Sequence, residues 1–172
     1  MLGQIHLYTG NGKGKTTAAL GLAFRAAAYG YKTYIGQFMK GQVYGEIEMA
    51  RSLEWLTVEQ FGSNTLVHVK HPPDQKNICL AKEGLDKSMR AMHSGDYDII
   101  VLDEICVAHY YNLIELSDIL EFIKQKPDNI ELILTGRYAD KEINDYVDLI
   151  TNMEEVKHYY NKGIESREGI EK

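Results

Sequence analysis

Short apolar runs rich in β-branched residues alternate along the chain with longer segments of helical periodicity. This alternation is typical of a parallel sheet whose two faces are covered by helices. Six runs have the length and composition of buried strands: Gln4–Thr9, Lys32–Phe38, Leu56–Phe61, Asp98–Asp103, Ile130–Thr135 and Leu149–Met153. The sequence therefore predicts an α/β fold with a mostly parallel six-stranded sheet flanked by helices.

Helices are expected in the segments that connect these strands. Gly30 and Gly95 mark the ends of the first two, because glycine readily adopts the left-handed conformation that follows a helix. Asp74 comes after two prolines and suits the N-cap position of the second helix. The predicted helices are Lys15–Tyr29, Asp74–Ser94, Glu115–Lys124 and Asp140–Val147.

Composition and charge narrow the class of protein. The chain has 172 residues, of which 44% are hydrophobic, so we expect one domain spanning residues 1–172. A net charge of −6 argues against nucleic acid as a partner. Without a leader or a long apolar run, the sequence predicts a cytoplasmic protein with no membrane partner. Cys79 and Cys106 lack metal-ligand spacing and are expected to be buried.

A glycine-rich loop, TGNGKGKTT at Thr9–Thr17, joins the first strand to the first helix. Its glycines let successive backbone N–H groups turn toward an anion at the positive end of the new helix. Lys15 is placed to reach phosphate oxygens, and the Thr16 hydroxyl to coordinate a Mg²⁺ that accompanies a triphosphate. The predicted contacts to ATP are Gly10, Asn11, Gly12, Lys13, Gly14, Lys15, Thr16 and Thr17.

The loop departs from the strict phosphate-loop pattern GxxxxGK[ST], because Thr9 stands where that pattern has glycine. An ordinary glycine turn before a helix is the alternative, although strand, loop, Lys–Thr pair and helix coincide as phosphate binding requires. Lys13 either contacts phosphate or is a solvated loop lysine.

Acidic residues follow the fourth predicted strand, in YDIIVLDE at Tyr97–Glu104. Asp103 and Glu104 emerge at the edge of the sheet where the glycine loop also lies. They are predicted to hold Mg²⁺ directly or through water. The alternative is a pair that caps a helix beginning near Ile105.

Loops after the other strands are expected to carry the second substrate, since ligands of open α/β sheets bind at the carboxyl ends of the strands. Arg137 either binds phosphate or a substrate carboxylate or amide, or pairs with Asp140 on the surface. Gln37 lies near the end of the second predicted strand and Lys40 follows it. Both are further candidates for the nucleotide site, and for both a role outside the site stays an alternative.

Together these segments resemble the P-loop type of ATP:corrinoid adenosyltransferase, also called cob(I)alamin adenosyltransferase. The resemblance covers nearly the whole chain, and Thr9 before Gly10 is the family's own form of the loop. The matching segments are YTGNGKGKTTAALGLAFRAAAYG from Tyr8, QFMKG from Gln37, DYDIIVLDEI from Asp96, LTGRYA from Leu134 and VKHYYNKGIESREGIE from Val156.

The resemblance implies a RecA-like P-loop NTPase fold, a homodimer and a transferase of adenosylcobalamin biosynthesis or salvage. In this family ATP gives its 5′-deoxyadenosyl group to the cobalt(I) of cob(I)alamin or a precursor corrinoid, and inorganic triphosphate leaves. Cobalt(I) is itself a strong nucleophile, so the protein aligns the reactants and neutralises the leaving group. Lys15, Thr16 and Glu104 match the residues for the second task. A flavodoxin-like or flavin reductant is implied as a partner.

Further roles follow from the resemblance residue by residue. It implies metal ligation by Thr16 and Glu104, with Asp103 nearby. Arg25 is either a nucleoside contact or a surface arginine with a packed stem. Some members carry a Phe and Trp pair near the corrinoid in the loop where this chain has Leu66 and His68. Those two residues are expected to line the corrinoid pocket, with a solvated histidine as the alternative for His68.

Two other classes of function share these features. A P-loop ATPase or small-molecule kinase would use the same loop and acidic residues but usually adds an arginine-rich lid, and the five arginines of this chain form no cluster in sequence. A non-catalytic nucleotide switch or corrinoid carrier would bind without turnover. The DxHxxG pattern of histidine-bound corrinoid carriers is missing from this sequence.

Overall fold

In the computed structural model of the protein, residues 2–42, 45–63 and 73–171 are described. The strands are β1 (Ile5–Thr9), β2 (Thr33–Phe38), β3 (Leu56–Phe61), β4 (Ile99–Asp103), β5 (Glu131–Thr135) and β6 (Leu149–Asn152). The α-helices are α1 (Lys15–Ala27), α2 (Gly45–Ala50), α3 (Gln75–Ser94), α4 (Ile105–Tyr110) and α5 (Leu116–Lys124). Short 3₁₀ helices span Lys141–Tyr146 and Tyr159–Lys162.

The six strands form one sheet in the order β3-β2-β4-β5-β1-β6, and every pair is parallel. All five residues of β4 are buried, as expected of a strand covered on both faces. The predicted α/β class is confirmed, and the arrangement is that of a P-loop NTPase-like domain. One strand, β5, lies between β1 and β4, so the loop after β5 ends at the same edge of the sheet as the glycine loop and the acidic residues.

Helices cover both faces of the sheet. On one face Ala19 of α1 belongs to a buried cluster that includes Ile35 and Ile133 of the sheet. On the other, α3 packs Ala81 and Met92 into the larger core. The Asp74 carboxylate accepts from the N–H of Asn77 at 2.7 Å and Gly95 follows with φ +81°, so both predicted ends of α3 are confirmed. Among the helices that the structure describes, none has the length and apolar character to cross a membrane.

Two local expectations were wrong, and one helix had been expected only as an alternative. The helix predicted at Asp140–Val147 is a 3₁₀ helix with one buried residue, Ile143, too little apolar surface to stabilise a longer α-helix. A helix beginning near Ile105 was expected only as the alternative to a metal-binding pair; α4 does begin at Ile105, but the Glu104 side chain makes no capping hydrogen bond. Cys79 is exposed, whereas Cys106 is buried as expected.

Close packing between α3 and β3 depends on Gly84. A Cβ at this position would lie 2.5 Å from Cγ of Phe61, whereas a Cβ at Gly21 in α1 would meet no heavy atom within 4 Å. We therefore expect Gly84→Ala to destabilise the fold by about 1–3 kcal/mol through overpacking. Gly21→Ala, the matched control, should stabilise it by up to about 1 kcal/mol through helix propensity. Urea unfolding checks both, and equal effects would contradict this packing.

Candidate active site

The glycine loop owes its shape to the chain that follows β6. Gly10 and Gly14 have φ values of +95° and +120°, a region that residues with a Cβ rarely adopt. A Cβ on Gly10 would lie 2.4 Å from the carbonyl oxygen of Met153. The N–H of Gly12 donates to the same carbonyl at 2.7 Å. The loop is therefore fixed against the end of β6 before any ligand binds.

A cavity of about 250 Å³ lies in the curve of this loop. Residues Asn11 through Thr17 form its floor, and Glu104 and Arg137 form its sides. His158, Ile170 and Glu171 line it from the far end of the sequence. The structure thus brings together most of the predicted phosphate contacts, two of the predicted metal ligands (Thr16 and Glu104) and the arginine of the TGRY segment.

Lys15 is buried and folds back onto its own loop. Its ammonium donates to the carbonyl oxygens of Gly10 at 2.7 Å and Gly12 at 2.8 Å. Burial lowers the pKa of Lys15, and the charges of Glu104 and Asp103 oppose that effect in part. A phosphate oxygen offers this ammonium a stronger, charged acceptor than a loop carbonyl.

Asp103 is fully buried and its carboxylate accepts four hydrogen bonds. Oδ1 accepts from the hydroxyls of Thr16 at 2.8 Å and Thr135 at 2.7 Å. Oδ2 accepts from Lys40 Nζ at 2.8 Å and Gln37 Nε2 at 3.3 Å. Burial lowers the pKa of Lys40, but the charge and hydrogen bond of Asp103, together with the charges of Glu46 and Glu104, raise it overall. Asp103 therefore ties together β2, β5 and the start of α1.

Glu104 differs from its neighbour because its carboxylate has no hydrogen bond or ion pair with the described residues. Its backbone is left-handed, with φ +63°, and its N–H donates to the Thr135 hydroxyl at 2.9 Å. Burial and the adjacent Asp103 charge raise the pKa of Glu104, while Lys40 and Lys15 act in the opposite direction. A partly buried carboxylate without donors, facing both cavities, is well suited to bind a cation.

A second cavity, of about 700 Å³, opens beside the first and shares Thr16, Thr17 and Glu104 with it. Its far wall is apolar and includes two aromatic rings. The apolar residues are Leu20, Phe24, Met49, Leu53, Trp55 and Leu56. The site therefore has a charged compartment and an apolar one that meet at Thr16 and Glu104.

Not every predicted site residue lies in these cavities. Lys40 lines the larger cavity, and Gln37 reaches the site through Asp103 and Glu46. Arg25 is exposed and lines a separate concavity on α1. Leu66 and His68 lie outside the described residues.

Sequence reasoning missed Thr135 and the aromatic wall of the larger cavity. Thr135 was visible as the first residue of the TGRY segment, but its contact with Asp103 depends on β4 and β5 being neighbours. Trp55 lies in the turn before β3, where no motif marks it.

Comparison with known proteins agrees with this geometry. The family described as ATP:corrinoid adenosyltransferase BtuR/CobO/CobP matches residues 1–171. A corrinoid adenosyltransferase from Sinorhizobium sp is 32% identical over 172 residues, which cover 98% of this chain and 80% of the relative. The Escherichia coli (strain K12) and Salmonella typhimurium enzymes are each 28% identical, with coverage of 98% and 85%. The chain therefore belongs to the ATP:corrinoid adenosyltransferase family.

Proposed function

We propose that this protein transfers the 5′-deoxyadenosyl group of ATP to the cobalt(I) centre of a corrinoid and releases inorganic triphosphate. The observation that carries this proposal is the meeting of two compartments at Thr16 and Glu104. One compartment has the charge and backbone geometry for a triphosphate. The other has an apolar, aromatic wall of the kind that binds organic ring systems.

In the proposed reaction the cobalt(I) electron pair forms a Co–C bond to C5′ of ATP. The bond between C5′ and the triphosphate oxygen breaks, and its electron pair leaves on the triphosphate. No proton has to be transferred in this step. The protein therefore contributes alignment of the reactants and neutralisation of the leaving group.

The triphosphate is assigned to the smaller cavity. Loop N–H groups, Lys15 and Arg137 surround this space and supply positive charge. In the proposed complex, Lys15 would donate to phosphate oxygens in place of the carbonyl oxygens of Gly10 and Gly12. Its ammonium already lies within the loop, where it donates to those carbonyls. Lys13 lies at the rim and is a further phosphate contact in this proposal.

The oxygen donors of the site fit Mg²⁺, which prefers carboxylate, hydroxyl and phosphate oxygens. Glu104 and Thr16 are the residues that would hold it, because the Asp103 carboxylate is already occupied by four donors. Asp103 then orients the Thr16 hydroxyl. When bound, the ion would neutralise charge that develops on the leaving triphosphate. No group of three or more acidic, His or Cys residues in the described ranges forms a metal site alone, so the ion is expected to arrive with the nucleotide.

The larger cavity is assigned to the adenosine moiety, whose base suits the wall formed by Phe24 and Trp55. A corrinoid with its side chains exceeds this volume and would approach C5′ from the open side. Leu66 and His68 stay predictions as corrinoid contacts, and Arg25 stays a prediction as a nucleoside contact. The same proposal includes homodimerisation, a flavin or flavodoxin-like reductant, a cytoplasmic location and a single domain over residues 1–172.

The proposal is tested by anaerobic incubation with Mg-ATP and chemically reduced cobalamin. Formation of a light-sensitive alkylcobalt product, followed by its absorption spectrum, is the expected result. Release of ADP at the same rate with and without the corrinoid would instead identify an ATPase that acts at the γ-phosphate.

A further inference from the structure

Residues 158–171, called here the 158–171 segment, lie over the small cavity and contact the glycine loop. The ammonium of Lys13 donates to the carbonyl oxygen of Ile170 at 3.1 Å and forms an ion pair with the Glu171 carboxylate at 3.1 Å. Ile170 and Glu171 line both cavities of the site. A carboxylate therefore stands beside the loop lysine in the space assigned to phosphate.

Glu171 is also the centre of the segment's own contacts. The guanidinium of Arg167 lies 3.2 Å from the Glu171 carboxylate, and the Arg167 N–H donates to it at 2.9 Å. The Tyr159 hydroxyl donates to the same carboxylate, and the Arg167 guanidinium lies 4.9 Å from the centre of the Tyr159 ring. Only 14% of the Glu171 side chain is exposed. The contacts that place the segment therefore converge on one charged group.

Little apolar burial supports this placement. Residues 160–170 are all exposed, including the side chains of Tyr160, Ile164 and Ile170. Exposed ion pairs contribute little stability, and segments with few buried contacts open at low cost. Loss of the contacts at Glu171 should therefore be enough to release the segment from the loop.

A bound triphosphate conflicts with this arrangement because it brings several negative charges into the cavity that Glu171 lines. Both anions would also compete for Lys13. We propose that Lys13 and Glu171 form a latch in which the carboxylate takes the place of a phosphate group until triphosphate captures Lys13 and releases the 158–171 segment. This inference rests on the proposed function, since it requires triphosphate in the small cavity.

The latch also acts on the product. After adenosyl transfer, inorganic triphosphate remains on the loop and must leave before the next ATP binds. When Glu171 forms its ion pair with Lys13 again, it competes with the bound triphosphate for this lysine. The affinity for triphosphate therefore falls. The latch therefore lowers the affinity of the resting protein for triphosphate and promotes turnover.

Calorimetric titration with inorganic triphosphate tests the latch without any corrinoid. Glu171→Gln removes the competing charge, so it should bind triphosphate about three- to tenfold more tightly than the unaltered protein. Glu168→Gln is the matched control, because its carboxylate forms no hydrogen bond or ion pair with the described residues, and its affinity should be unchanged. In a protein that also carries Lys13→Met, Glu171→Gln should increase the affinity for triphosphate much less.

Hydrogen exchange gives a second measurement that does not depend on a variant. Triphosphate should increase amide exchange in the 158–171 segment while it protects the glycine loop. Protection of the segment, or equal or weaker binding by Glu171→Gln, would mean that the segment is a structural wall and that the latch is wrong. If the unaltered protein bound no triphosphate, the phosphate assignment under the proposed function would fail together with the latch.

Discussion

Replacing Lys15 with alanine is expected to lower the affinity for Mg-ATP by about a hundredfold or more. The Lys15 ammonium is buried at the centre of the loop and donates to two loop carbonyls, Gly10 and Gly12. Its loss removes a cation from the lining of the cavity proposed for triphosphate and the donor that links two carbonyls of the loop. Calorimetric titration with Mg-ATP measures the change.

Lys82→Ala is the control for this experiment, because Lys82 is exposed on α3 and does not line either cavity. Its ATP affinity should match that of the unaltered protein. Retention of full affinity by Lys15→Ala would refute the assignment of triphosphate to the glycine loop.

Glu104→Gln is expected to have opposite effects on activity and stability. Adenosyl transfer should fall by about a hundredfold, because the amide is a poor ligand for the ion that neutralises the leaving group. The free energy of unfolding should rise by about 1 kcal/mol near neutral pH, because a partly buried carboxylate without donors is replaced by a neutral group. Turnover with reduced corrinoid and urea unfolding measure the two effects.

The pH dependence of the stability gain of Glu104→Gln follows from the direction in which the fold shifts the pKa of Glu104. The fold raises the pKa of Glu104, through burial first and the Asp103 charge second. Ionisation is therefore more costly in the folded protein than in the unfolded chain, and the cost is fully present only above the folded pKa. The stability gain of Glu104→Gln should be lost as the pH falls toward the ordinary pKa of glutamate. A gain that persists in acid, or a gain shown equally by Glu168→Gln, would contradict this account of Glu104.

The sequence was enough to predict all six strands, the glycine loop and the acidic pair after β4. Each rests on local physics: strands follow apolar β-branched runs, and the loop follows the spacing of its glycines before Lys15 and Thr16. The helix predicted at Asp140–Val147 failed because its stability depends on how much of it the core covers, which local pattern does not reveal.

Contacts between distant parts of the chain could not be predicted. Asp103 and Glu104 differ because the neighbouring strand β5 brings the Thr135 hydroxyl to the Asp103 carboxylate, whereas Glu104 contacts Thr135 only through its backbone N–H. Likewise, nothing local connects Lys13 with Glu171, although they form an ion pair across nearly the whole chain. Strand order and long-range packing decide both, so these features become visible only in the folded molecule.

In adenosyl transfer, C5′ of ATP is attacked and inorganic triphosphate leaves. Phosphorus NMR of the products after anaerobic incubation with Mg-ATP, with and without chemically reduced corrinoid, distinguishes this reaction from attack on the γ-phosphate. Inorganic triphosphate is the expected product, formed only when the corrinoid is present. ADP and inorganic phosphate, formed whether or not corrinoid is added, would contradict it and place the reaction at the γ-phosphate.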